Sequence, residues 1–252
     1  MIKTELHAHT ADDPHDLIPY STAALVDHAA ALGYGAIAVT LHDDVCPIDA
    51  TVEYARGRGV VLLSGIERTI EGKHVLLING PARALLAVRT FADLAALRAD
   101  HPAVLVVAPH PFYPVSTAMG SRLLERHRDL VDAIEYSGLY TRELDFNRRA
   151  VAWARRQGKP VVGNSDLHRL QQLGSTYSLV DAPADADAIC AAIRAGRVEL
   201  RTHPLTWPHA ARFCSEMIMS GVRRRWQRRL SDPVVHGADG SPASTDAGPA
   251  SS

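Results

Sequence analysis

Histidines and acids placed at the ends of short apolar runs are the residues of this sequence best suited to chemistry. His7-Ala-His9 follows the first such run, and residues two apart on a strand face the same way, so both imidazoles can address one metal ion. His42 follows the run 36–40, Glu67 follows 60–65, His74 opens 74–79, His110 follows 104–108, and Asp166 and His168 follow 160–163. Imidazole mixed with carboxylate suits zinc, manganese or iron, whereas calcium or magnesium is held mainly by oxygen. Two close ions lower the pKa of a bound water and clamp phosphoryl oxygens, which are the requirements of phosphate-ester hydrolysis. Asp166 and His168 are also candidates to move protons. Arg68 and Arg169, each next to a candidate ligand, are candidates to grip phosphate oxygens through bidentate hydrogen bonds. Tyr113, Tyr136 and Tyr140 are candidates for the pocket wall or for core packing.

Seven Val-, Ile- and Leu-rich runs, at 4–7, 36–40, 60–65, 74–79, 104–108, 133–136 and 160–163, read as buried strands. Helical spacing at 21–32, 48–58, 91–98 and 147–157 lies between most of them. Gly33 and Gly59 sit where a left-handed C-terminal cap favours glycine, and Gly158-Lys-Pro repeats that punctuation. The alternation predicts β/α units closed into a parallel barrel, in which every strand C-terminus faces one mouth. Ligand-type residues far apart in sequence would converge there.

The length, 252 residues, is usual for one α/β barrel, and 46% hydrophobic with 22% charged residues is an ordinary globular composition. A formal net charge of −1 excludes a surface that is wholly a nucleic-acid footprint. Cys46, Cys190 and Cys214 lack both disulfide and zinc-ribbon spacing, so a reducing, cytoplasmic setting is expected. Neither a secretory leader nor a transmembrane segment is read from the chain. The organisation expected is a catalytic barrel over 1–210, a basic helix over 211–230 and a disordered Ser-, Pro- and Gly-rich tail over 231–252. The helix carries Arg223, Arg224, Arg225, Arg228 and Arg229 around Trp226, either as a solvated positive end or as a contact for nucleic acid or an anionic membrane.

In order along the chain, ELHAHT, AVTLHDD, SGIE, EGKHVLLIN, VVAPHPF, IEYSGLY and GNSDLHR resemble the polymerase and histidinol phosphatase (PHP) family, over roughly 3–180. The resemblance implies a distorted (β/α)7 TIM-like barrel with two or three divalent transition-metal ions, zinc, manganese or iron, at its C-terminal mouth. It implies that His7, His9, Glu67 and Asp166 hold one ion, and that Glu67 bridges to a second held by His74 and His110. His42 and His168 would hold a third, with His15 the favoured additional ligand and Asp13 and Asp16 the alternatives. The family usually has an aspartate immediately before the histidine matched by His42; Leu41 stands there in this chain, which bears on the third ion.

The function implied is hydrolysis of a small phosphomonoester or nucleotide by metal-activated hydroxide, with short nucleic acid a less favoured partner. One alternative is a metal-dependent amidohydrolase, although Glu67 stands where many of those barrels use a bridging lysine and Lys73 falls in a polar turn. The other is a metal-stabilised regulatory or interaction module. A site dense in imidazole and carboxylate is costly to desolvate unless metal holds it together, which favours an enzyme.

Overall fold

In the computed structural model, which describes residues 1–231, each of the seven apolar runs contributes a strand: β1 (Ile2–Ala8), β2 (Ala36–His42), β3 (Val61–Ile70), β4 (Lys73–Ile78), β5 (Leu105–Ala108), β6 (Ala133–Ser137) and β7 (Val161–Asn164). Two more, β8 (Thr176–Val180) and β9 (Val198–Thr202), complete a nine-stranded sheet of order β7-β6-β5-β4-β3-β2-β1-β8-β9 that curls into a nearly closed barrel. The helices are α1 (Thr22–Ala31), α2 (Asp49–Gly57), α3 (Ala82–Ala87), α4 (Phe91–Asp100), α5 (Gly120–Arg126), α6 (Asn147–Gln157), α7 (Ala186–Arg194) and α8 (Trp207–Ser231). None among the described residues is long and apolar enough to cross a membrane.

Strand alternation sorts the core into layers. Ile37, Val39 and Leu41 of β2 pack with Leu25, Val26 and Ala29 of α1 in an outer layer. Ala36 and Ala38, on the opposite face, join Leu63, Leu76, Leu105, Val107, Ala133 and Val162 in a second cluster that α7 closes with Ile189, Ala192 and Ile193. A third cluster, around Ile66, Leu77, Val106 and Ile134, packs under α4 and α6. Leu41 therefore belongs to the outer layer while its neighbour His42 points with Ala36 and Ala38 toward the barrel.

The expectation of a wholly parallel barrel fails at β4 and β8. Glu71 and Gly72 both take positive φ, 49° and 77°, and form the tight turn of a hairpin. Strand β4 consequently runs antiparallel to both β3 and β5, and β8 antiparallel to β1 and β9. This reversal matters for the chemistry: His74, at the start of β4, pairs with Thr69 near the end of β3 and so lies at the rim where the parallel strands finish.

The seam between β7 and β8 is bridged by a side chain. Gly163 N donates to Ser178 Oγ at 2.8 Å, and Ser178 Oγ donates back to Gly163 O at 3.3 Å. A Cβ at Gly163 would lie 2.5 Å from Leu200 Cδ1 and 2.9 Å from Tyr177 O, so only glycine permits this approach. The basic run 223–229 falls within α8, where Arg223 and Trp226 are exposed; the side chains at 224, 225, 228 and 229 lie outside those described, as does the expected tail from 232 onward.

Gly163→Ala should force β7 from β8 and cost about 1–3 kcal/mol, read as a lower denaturant midpoint at unchanged slope. Unaltered stability would show that the close approach at Gly163 does not set the seam.

Candidate metal centre

Three local devices bring the donors together. A bulge in β1, where Glu5 pairs with Ile37 but Ala8 with Val39, turns the strand end so that His7 and His9 both face the barrel mouth, rings 5.3 Å apart. The segment after β7 then pairs with that end: Leu167 N donates to His7 O and His9 N to Leu167 O, both at 3.0 Å. Asp166 and His168 flank Leu167 and are thereby held against the two histidines; Asp166 takes a positive φ of 49° to do so.

Glu67, at the end of β3 and 1% exposed, is the hub. Its Oε1 lies 2.6 Å from His74 Nδ1 and 3.2 Å from His110 Nε2. Its Oε2 lies 3.1 Å from His42 Nε2, 3.4 Å from His7 Nε2 and 3.5 Å from His9 Nε2. Asp166 Oδ1 is 3.4 Å from His7 Nε2 and 3.5 Å from His9 Nε2. The Nε2 atoms of His7 and His9 are buried and make no hydrogen bond, and His110 Nδ1 is likewise without a partner.

Other carboxylates set the rings. His7 Nδ1 donates to Glu135 Oε2 at 2.8 Å, and Asp13 Oδ2 accepts from His9 Nδ1 at 2.8 Å and His42 Nδ1 at 3.0 Å. Each contact occupies Nδ1 and leaves Nε2 directed at the mouth. Asp13 Oδ1 also accepts the backbone N–H groups of His15 and Asp16, which folds their loop over the rim. Glu5, whose carboxylate accepts from the N–H groups of His7 and Ser165, is fully buried, and burial pushes its pKa up to about 8 against those donors.

Charge in the cluster is matched internally. Burial would raise the pKa of Glu67, but His74, His7 and His42 hold it well below the carboxylate range, and Asp166 is lowered the same way by His7, His9 and His168. Burial opposes a proton on His9, yet the hydrogen bond to Asp13 and the nearby carboxylates of Asp166 and Glu67 carry its pKa up to about 9; His7 is raised well above its ordinary value by Asp166, Glu135 and Glu67. His42 goes the other way, lowered by burial and by the neighbouring His9.

Groups whose donor atoms lie close enough to share one ion, among the described residues, are His7, His9 and Asp166; His42, Glu67 and His74; His9, His42 and His168; and Asp13, Asp16 and His42. His110 stands beside Glu67, while His15 is exposed, its ring stacked 5.5 Å from that of His42. Asp16, not His15, reaches His168, with Oδ2 3.1 Å from Nε2. A cavity of about 430 Å³ opens over Glu67, His42, His74, His110, Asp166, His168 and Asp16, and is also lined by Tyr113. Tyr136 and Tyr140 are instead buried against each other.

Neither arginine expected at the phosphate reaches this cavity. Alternation along β3 turns Arg68 away from Glu67: it is buried, with Nε donating to Val88 O at 2.6 Å and Nη1 to Asp43 Oδ1 at 2.8 Å. It thus fastens the loop after His42. Arg169 is drawn to α8, 3.2 Å from Glu216 Oε2. Glu135 and Glu5 did not enter the sequence-based site; a lone acid inside an apolar strand, as in AIEYS, was the available signal.

A family model described as PHP-associated matches residues 145–198, which include Asp166 and His168. The structure is similar to that of a two-domain protein from Bacteroides vulgatus containing a predicted PHP-like metal-dependent phosphoesterase (TM-score 0.61, 19% identity, 87% of this chain and 69% of that one). The fold is that of a PHP domain. PsfC from Pseudomonas syringae is comparably similar (TM-score 0.60, 19% identity, 90% and 98%). The lesion-specific endonuclease PfuEndoQ from Pyrococcus furiosus matches at TM-score 0.55 and 17% identity, with 79% of this chain and 57% of that protein covered. No curated protein matches the chain.

Asp13→Asn should free His9 and His42 to rotate and weaken divalent-cation affinity by about 10- to 100-fold, measured by chelator competition. Affinity equal to wild type would remove Asp13 from the positioning role.

Proposed function

We propose that this protein is a metal-dependent hydrolase of phosphate esters using two or three divalent transition-metal ions. The observation that carries this reading is the disposition of His7 Nε2 and His9 Nε2, buried, without hydrogen bonds, and each 3.4–3.5 Å from both Glu67 Oε2 and Asp166 Oδ1. Bonds of about 2.1 Å to a tetrahedral ion put neighbouring ligand atoms roughly 3.4 Å apart. These four donors are thus spaced as the edges of such a cage, and the two Nε2 atoms are hydrogen-bonded to nothing else.

Glu67 turns its second oxygen to His74 and His110, which together form a donor set for a second ion. His42, His168 and Asp16 are the set for a third, with Asp16 a better placed ligand than His15 because its carboxylate already meets His168. Zinc, manganese or iron suits this mixture. Such ions would bind phosphoryl oxygens and acidify water near neutral pH. The chain's own part is to orient: Asp13 and Glu135 fix the imidazoles, Glu67 spans two donor sets, and His168 stands in the cavity lining where a proton can be passed to the departing oxygen. The PHP-like phosphoesterase and endonuclease among the structural relatives support an ester of phosphate. The amidohydrolase alternative gains nothing from Lys73, whose Nζ donates to Ser116 O at 2.6 Å rather than bridging the donors.

His7→Ala and Glu67→Ala should each lower manganese-supported turnover of a phosphomonoester by on the order of a hundredfold or more, and lower bound metal by elemental analysis, with the fold retained by circular dichroism. Near-normal turnover in the Glu67 variant would refute the bridging role.

A further inference from the structure

The cavity above the donors is lined by two unlike kinds of side chain. Its lining joins the imidazoles and carboxylates, and the hydroxyls of Tyr113, Thr117 and Ser137, to the apolar Val115, Leu139, Ile218 and Val222, the last two one turn apart on α8. No lysine or arginine lines the cavity among the described residues, and the two arginines nearest the donors in sequence are committed elsewhere, Arg68 to Asp43 and Arg169 to Glu216.

Helix α8 is pinned in this position through residues adjacent to the site. Leu17 N donates to Ser220 Oγ at 2.8 Å, and Ser220 Oγ donates to Leu17 O at 3.2 Å; Leu17 directly follows Asp16. Glu216 receives Arg169, which directly follows His168. Phe213 and Ser220 are buried by this docking, yet Ile218 and Val222 remain 66% and 45% exposed, facing the open cavity. Apolar side chains held over a polar centre by such anchors leave a surface that a ligand would cover.

We infer that α8 is the specificity wall of the site, and that the substrate is a phosphomonoester of an uncharged, largely apolar alcohol. The inference rests on the phosphate-ester reading and names its substrate class. Metal ions held by the donors would neutralise one phosphoryl group. Among the described residues that line the cavity, none is a lysine or arginine, so a second phosphate, or the backbone of a nucleic acid, would have to shed water there against valine, leucine and isoleucine, which is unfavourable. A volume of about 430 Å³ accommodates one phosphoryl group with a short alkyl chain or a single ring.

The test compares n-butyl phosphate with glycerol phosphate and adenosine monophosphate, on metal-loaded wild type and on an Ile218→Thr/Val222→Thr variant that keeps both side chains β-branched while making them polar. Butyl and glycerol phosphate have leaving alcohols of similar reactivity, so their ratio of kcat/KM reports the wall. Wild type is expected to favour butyl phosphate, and the ratio to fall about tenfold in the variant, mainly through KM. Calorimetric titration with n-butylphosphonate and methylphosphonate gives a second readout, the variant losing affinity for the butyl compound selectively. A ratio unchanged by the variant, or a wild type that prefers glycerol phosphate or the nucleotide, overturns the substrate class while leaving the phosphoesterase standing. Failure to hydrolyse any of the three esters when metal-loaded overturns the phosphoesterase reading and this inference with it.

Discussion

A single buried carboxylate organises the barrel mouth. Five imidazoles approach the two oxygens of Glu67, and a carboxylate almost excluded from water is tolerable only when positive charge or hydrogen-bond donors surround it. Everything nearby serves that requirement. The β3–β4 hairpin returns His74 to the rim, the β1 bulge aims His7 and His9, and the Leu167 bridge brings Asp166 and His168 alongside. Beneath them, Asp13 and Glu135 fix the ring orientations. Removing any one of these leaves a donor misdirected or a charge unmatched.

No lysine or arginine stands among the described residues that line the mouth. Arg68 and Arg169, the residues whose sequence position most suggested anion binding, are used to fasten the loop after His42 and to seat α8. The C-terminal helix completes the enclosure with apolar side chains, tied through Leu17 and Arg169 to the backbone immediately following two site residues.

Much of this was legible in the sequence. The seven apolar runs are all strands, and the helices at 21–32, 48–58, 91–98 and 147–157 are present within a few residues of their expected ends. His7, His9, His42, Glu67, His74, His110, Asp166 and His168 could be named because each sits beside a strand end, where a barrel gathers its side chains. What was not legible depended on through-space pairing. The reversal of β4 turned on Glu71 adopting positive φ, a weak signal beside Gly72. The seam of β8 and β9 lies in runs too short and too alternating to stand out. His15 and Asp16 are neighbours in one loop, and only the fold decides that Asp16 meets His168 while His15 stacks outside. Arg68 followed a site residue, but alternation along β3 sent it to the opposite face.

The most direct test of the metal centre is a crystal structure of protein loaded with manganese or zinc, with anomalous difference maps collected on both sides of the absorption edge of the metal used. A peak between His7 Nε2, His9 Nε2, Glu67 Oε2 and Asp166 Oδ1, with a second beside His74 and His110, is the predicted result. Saturating metal that leaves no peak among those four donors, or places its peaks elsewhere, would contradict the account.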